Sequence, residues 1–368
     1  MSAFESTGAA RSTPEVQGRP VLMETVTEND AQDDLTSAID LSDGLAGDCE
    51  TRLLWLANKP QGNQERRNAI SLWNENPDLQ NELRVLFDNL RPDIVHTHRL
   101  DELTMAGQAA RQSGVPNIVH SVCGAITGAE KRQLDHFAAV VESLSPLLIA
   151  PSEKAADWLP ASARIEILPA GIDCERYVPG DLTRARRKIG LPAEPKFVGC
   201  ANLSQGLATL LHVLFRMDHE VHLALFGQAR PGKADRALIR RLGLEERVHV
   251  LGAWAKPELV FRAIDVYFQG PSDDCLPRAV LAAQACGKPV IACAPAPNET
   301  LCPQTARLAP MQYMPTLLHS LRRGLKSAEP EATRQFIVDN WNVERSLEGY
   351  SALFKRLADR SQPTLRLA

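Results

Sequence analysis

Residues 271–300 read PSDDCLPRAVLAAQACGKPVIACAPAPNET, and the punctuation of this stretch decides the fold. Pro277 suits the first turn of a helix, and Gly287 and Pro289 suit its end, so the spacing predicts a helix over about 277–286. One apolar run, DVYFQGPS, leads into it and another, PVIACAP, leads out. Strand, helix and strand, with runs too apolar to alternate, is the pattern of a parallel sheet covered on both faces. The N–H groups that open such a helix, here around Cys275, Leu276, Pro277 and Arg278, form a place for a phosphate or a sugar hydroxyl.

The same alternation extends toward both ends. Upstream lie KFVGCAN, a helix over about 206–215, VHLALFG, a helix over 234–242, RVHVLG and a helix over 257–263. An earlier series runs VLMETV, a helix over 35–45, TRLLWLAN, a helix over 77–90, DIVHTH, a helix over 102–113, NIVHSV, a helix over 129–144, LLIAPS and IEILPAGID. Between the two series, YVPGDLTRARRKIGLPAEP concentrates Pro, Gly and charge, as an interdomain linker does. The expectation is an α/β protein of two Rossmann-like domains facing across a cleft. Its divisions are a mobile leader at 1–20, a first domain at 21–180, a second at 181–335 and a helical region at 336–368 that crosses back to the first domain.

Composition narrows the function. A chain of 368 residues with 44% hydrophobic content can bury two cores. A formal net charge of -4 offers no broad basic surface for nucleic acid. The opening segment has neither an h-region nor an apolar run near the roughly 18 residues that span a bilayer, which reads as cytoplasmic. The 8 cysteines show no CxxC pair and no metal-ligand spacing to His, so buried thiols are expected.

Residues 271–300 resemble the donor-site segment of the family 4 glycosyltransferases, which have the GT-B fold. In that pattern an acidic residue follows PS, a Glu stands on the helix that follows, and the helix closes with A-C-G-K-P-V. Asp274 takes the acidic place, and Ala285 to Val290 match the close. RPDIVHTH, IAPSE, ILPAGIDCERYVPGD, RLGLEERVHVLG and WNVERSLEGYSALFKRL fit the same template in order over about 90–358. The resemblance implies transfer of a sugar from a nucleotide-sugar donor, with retention and without a metal or other cofactor, to a glycan or lipid-linked acceptor in cell-surface polysaccharide synthesis. It places Asp274 on the donor sugar, His96 on the acceptor side, Val248, Leu251 and Gly252 against the nucleobase, and Gly206 among the donor-binding residues.

The template also breaks. Its V-G-R-x-x-x-x-K-G segment reads VGCANLSQG here, so Cys200 and Gln205 stand where the cations should be. Ala282 replaces the Glu that would hold the donor ribose, Cys123 replaces a histidine, and the first strand lacks its glycine pair. Arg278, Arg230 and Lys233 are the basic residues placed to compensate. A second function therefore stays open: a degenerate GT-B protein that binds a nucleotide sugar or a partner enzyme without transfer. A GT-B epimerase would need carboxylates and a histidine over the sugar ring.

Other signals are weaker. His96 and His98 share one face of a strand end and could ligate a metal, with no third ligand in the neighbouring sequence; His96 reads equally as a packed, hydrogen-bonded histidine. Acidic residues from 24 to 50, with no Lys or Arg among them, read as a solvated helix face and loops. DHEVH at 218–222 lacks the helical spacing of a zinc site and reads as a strand start. The basic amphipathic stretch LLHSLRRGLKS at 317–327 reads as a surface helix or a peripheral membrane contact.

Overall fold

The computed structural model describes residues 19–27, 32–57, 68–122, 131–201, 206–227, 230–252, 256–271, 277–294, 296, 298–327 and 329–361. Among these described residues the first domain holds seven parallel strands: β1 (Val21–Thr27), β2 (Glu50–Ala57), β3 (Ala69–Trp73), β4 (Ile94–Thr97), β5 (Asn117–Ser121), β6 (Leu147–Ala150) and β7 (Arg164–Ile167). Their order is β3-β2-β1-β4-β5-β6-β7. The second domain holds six among its described residues: β8 (Lys196–Cys200), β9 (Val221–Phe226), β10 (Val248–Gly252), β11 (Val266–Gln269), β12 (Val290–Ala292) and β13 (Arg307–Leu308), ordered β10-β9-β8-β11-β12-β13. All of their pairings are parallel. Strand order reverses beside β1 in one sheet and beside β8 in the other, and ligands of doubly wound sheets bind beyond the carboxyl ends at such points.

Two strands were not legible in advance. β3 is a half-exposed edge strand, AISLW, without an apolar run, and β13 has only 2 residues. The helix predicted from Pro277 and Gly287 is present as Arg278–Ala285, with Pro277 as its N-cap. Gly287 adopts φ +73, the left-handed turn that ends it.

Each sheet is packed on both faces. In the first, Met23 and Val95 face one cluster with Leu83 and Phe87, while Leu22 and Ile94 face another with Tyr350, Leu353, Phe354 and Leu357. The last four belong to the C-terminal helix Val343–Ser361, which lies on the first domain. The preceding helix, Pro330–Trp341, packs Ile337 and Trp341 into the second domain's core. Between them the chain crosses at a parallel bridge from Ile172 to Asn342, where Ile172 donates its N–H to Trp341 O and accepts one from Val343. Gly171 makes the crossing possible, because a Cβ there would lie 2.4 Å from Val343 Cα. Packing already passes to the second domain at Ile172, Cys174 and Tyr177, ahead of the linker read from sequence.

The stretch at 317–327 does not offer an apolar face to a membrane. The helix Met314–Gly324 buries Leu317 and Leu321 completely in the second domain's core, so its apolar side is already occupied. Among the described residues, no helix is long and apolar enough to cross a membrane.

Candidate functional site

The cleft side of the second domain is built from the carboxyl ends of β8 to β12 and the helices that leave them. At the end of β8, Gly206 caps the helix Leu207–Phe215 with φ +91, and a Cβ there would come within 2.1 Å of Met311 Cε. The positive φ favours glycine there, while the flexible end of the Met311 side chain can move aside. β9 and β10 close together where Gly227 donates its N–H to Gly252 O at 2.9 Å, beside a register shift between Val250 and Gly252. Leu251 and Gly252 therefore sit at the carboxyl end of their strand. Val248 does not: it opens β10 and packs against the core cluster of Leu210 and Leu214. Four residues of strand, at about 3.3 Å each, carry it away from the cleft end, which corrects its assignment to the nucleobase.

Asp274, Cys275, Leu276, Gln205 and Cys123 lie outside the described residues. Of the predicted turn, Pro277 and Arg278 are described. Pro277 has no N–H to offer, so it cannot serve as a donor to phosphate. Its carbonyl accepts from Val280 at 2.9 Å and Leu281 at 3.3 Å. The N–H groups of Arg278 and Ala279 open the helix ahead of those bonds. The Arg278 side chain reaches the other domain, with Nη2 3.1 Å from Oδ2 of Asp40 on the helix Gln32–Gly44. Burial pushes the Asp40 carboxyl above its usual range, against the pull of Arg278 and Arg176. A second contact spans the domains where Ser152 Oγ donates to Glu299 Oε1 at 3.1 Å. The start of the 278–285 helix thus faces the interdomain groove.

The proposed replacements for the missing cations are placed unequally. Cys200 and Ala282 are buried in apolar clusters, with 0% and 2% of their surface exposed, so neither position points an empty donor at the cleft. Arg230 and Lys233 are exposed just beyond β9. Arg278 is the basic side chain that the described structure places at the helix start.

The first domain corrects the reading of His96. Its ring is completely buried, Nδ1 lies 2.9 Å from Glu24 Oε1, and Nε2 lies 2.8 Å from Ser121 Oγ. Both nitrogens are engaged inside the protein, so His96 cannot touch an acceptor and is the packed histidine. Glu24 Oε2 also meets His98 Nε2 at 2.9 Å, and Ser121 Oγ meets the Tyr350 hydroxyl at 2.9 Å. Burial alone would raise the Glu24 carboxyl; the charges and hydrogen bonds of His96 and His98 outweigh it and bring it down to about 2. Burial holds His96 itself low. This set contains the carboxylate and histidines an epimerase would need, but it is sealed from any sugar ring.

The acidic stretch is likewise more than a solvated face. Glu24 is inside, Asp40 crosses the groove, and Asp48 binds Lys355 Nζ at 2.6 Å and Ser351 Oγ at 2.8 Å on the C-terminal helix. A signal for Glu24 was present: a carboxylate inside the apolar run VLMETV must find partners. The other group of the second domain, DHEVH, is a strand start as read. His222 in β9 stacks on His249 in β10, and burial with the neighbouring ring pushes His222 down to about 4.

Where β4 ends, Arg99, Leu100, Asp101, Thr104, Met105 and His136 line an open recess of about 420 Å³. Sequence reading passed over it, because its residues come from two helices separated by some thirty positions and carry no motif.

Two parallel, doubly wound domains with facing carboxyl ends, joined by a helix that returns to the first, define a GT-B protein. Residues 36–176 match the model of Glycosyltransferase Family 4 and residues 194–316 match Glycosyl transferases group 1, together most of the chain. The chain belongs to this glycosyltransferase family. A D-inositol 3-phosphate glycosyltransferase of Stackebrandtia nassauensis is 30% identical over 238 residues, which cover 55% of this chain and 53% of that protein. The chain thus spans about half the length of the curated relatives it matches. Among solved structures, Anabaena HepE in complex with UDP-glucose superposes with a TM-score of 0.77 at 16% identity, over 92% of this chain and 100% of that one. A glycosyltransferase from Rickettsia africae does so at 0.74 and 14%, over 93% and 100%. At such identities the structures speak for the fold.

Proposed function

We infer that this protein binds a nucleotide sugar in the interdomain groove and transfers the sugar, with retention of configuration, to a glycan or lipid-linked acceptor in cytoplasmic steps of cell-surface polysaccharide synthesis. The carrying observation is the helix start at Arg278, which faces the groove with a guanidinium and two leading N–H groups. As the glycosidic bond lengthens, negative charge grows on the departing diphosphate, and preorganised donors aimed at it lower the barrier. Arg278 supplies the cation there, Gly206 and Gly252 let backbone approach the nucleotide closely, and Asp274 orients the sugar. The recess beside Arg99 and His136 serves as the acceptor side, in place of His96. Binding of UDP-glucose to HepE and the naming of the inositol phosphate enzymes support a UDP-sugar and a polar hydroxyl acceptor as first probes.

A second reading, binding without transfer, is favoured by one observation. Cys200 and Ala282 are packed into apolar cores, so the chain lacks two of the polar side chains that the family pattern directs at the donor. Calorimetric titration with UDP-glucose and related nucleotide sugars, followed by a donor-hydrolysis assay on each binder, separates the readings. Binding with turnover supports transfer, binding without it supports the second reading, and absence of binding across the panel overturns transfer and leaves only the partner-enzyme form of the second reading.

A further inference from the structure

We propose that Glu24, His96 and His98 form a buried binding site for a divalent metal ion of the zinc type. The inference is independent of donor chemistry.

The backbone builds the set. Glu24 in β1 pairs directly with His96 in β4, and His98 follows two residues later, so its side chain returns to the same face. The ligand atoms, one from each residue, all lie within 4.8 Å of one another. Glu24 presents one oxygen to His96 Nδ1 and the other to His98 Nε2, each at 2.9 Å. Ligands around a tetrahedral zinc stand roughly 3.3 Å apart when each bond is about 2.0–2.1 Å. The two hydrogen-bonded contacts are shorter than that spacing and the three ligand atoms lie within 4.8 Å of one another, so an ion would enter by replacing the hydrogen bonds that now join them.

Donor chemistry agrees. Two imidazoles and one carboxylate are the set that holds zinc in sites with a free fourth position, and imidazole selects zinc, nickel or cobalt over magnesium and calcium. The outer shell is in place as well. His96 Nε2 meets Ser121 Oγ at 2.8 Å, and Ser121 meets the Tyr350 hydroxyl at 2.9 Å. Such a partner on the far nitrogen fixes ring orientation and tautomer in metal sites. Both hydroxyls can reverse their donor sense, so His96 can turn Nδ1 from a proton donor to Glu24 into a lone pair for the ion while Nε2–H donates to Ser121.

Charge supplies the reason for a cation. The Glu24 side chain is completely buried, and its ion-pair partners among the described residues are the two histidines. A divalent ion bound there would offset the charge of the buried carboxylate. Bound there, the ion would tie β1, β4 and, through Ser121 and Tyr350, the C-terminal helix into one unit.

The test uses the full chain, produced without an affinity tag of histidines and treated with chelator. Zinc is titrated in competition with a chromophoric chelator, and cobalt is titrated while visible absorption is recorded. The expected result is one zinc per chain with micromolar or tighter affinity, and a cobalt ligand-field band. Glu24→Gln and His98→Gln, which keep polar partners in place, should each weaken zinc at least tenfold, whereas His222→Ala at the other histidine pair should leave it unchanged. Zinc should also raise the melting temperature of the unaltered chain by several degrees, a readout that needs no variant. Less than half an equivalent of zinc bound, no melting shift, or zinc binding that survives His98→Gln in a folded variant overturns the proposal.

Discussion

If the groove binds a diphosphate, Asp40 competes with it for Arg278, and the competition can be measured. The pair meets at 3.1 Å with 12% of the Arg278 side chain and 29% of the Asp40 side chain exposed. Unit charges at this spacing attract by about 5 kcal/mol at an effective dielectric constant near 20. Desolvation and the fixing of two side chains offset most of that, leaving about 1–2 kcal/mol net. A donor diphosphate must draw Arg278 away, so that net value is subtracted from its binding energy. Asp40→Asn should then tighten UDP-glucose by about 5- to 30-fold. Arg278→Ala removes a charge-assisted hydrogen bond of about 1.5–3 kcal/mol and should weaken it by roughly 10- to 150-fold. The assay is calorimetric titration on both single variants and the double variant, in which the effect of Asp40→Asn should vanish because Asp40 acts through Arg278. Unchanged or weaker binding by Asp40→Asn, or donor affinity that survives Arg278→Ala, refutes the assignment of this helix start to the diphosphate.

Cys200→Arg, which restores the family letter, should cost at least about 3 kcal/mol in denaturant unfolding and raise no turnover, because the guanidinium would enter a completely buried apolar site; a stable and more active variant contradicts this. Burial raises the Cys200, Cys286 and Cys293 thiols to about 12, so at pH 8 each is protonated, and all three should resist iodoacetamide in the native chain while reacting in denaturant, as read by mass spectrometry. Gly171→Ala should lower stability by about 1–3 kcal/mol and loosen the C-terminal helix, since the added Cβ meets backbone at Val343 and backbone cannot rotate away; unchanged hydrogen exchange over residues 343–361 would count against it. Tyr350→Phe should cost about 1 kcal/mol through the lost bond to Ser121, which thermal unfolding resolves.

Much of the architecture was legible because its signals are local. The Pro277 and Gly287 punctuation set the 278–285 helix, and apolar runs such as KFVGCAN and VHLALF marked strands buried on both faces. β3 escaped because an edge strand needs no continuous apolar run. The candidate site was legible only in part. Arg278 could be nominated from its place at a helix start, but its partner Asp40 lies 238 positions away, and no local pattern links the two. His96 was noticed as a polar residue at a strand end, yet whether it faced the groove or the interior depended on what covered that face.

The sequence by itself determined the alternation of strands and helices, the division into two doubly wound domains and the family, since these rest on periodicity, turn chemistry and short motifs. Tertiary structure decided that Glu24 closes on His96 and His98 and that Cys200 and Ala282 face cores. The physical reason is that neighbours along the chain share only backbone geometry. Charge pairing, burial and access to the groove are set by residues that meet only when sheets stack and domains face each other.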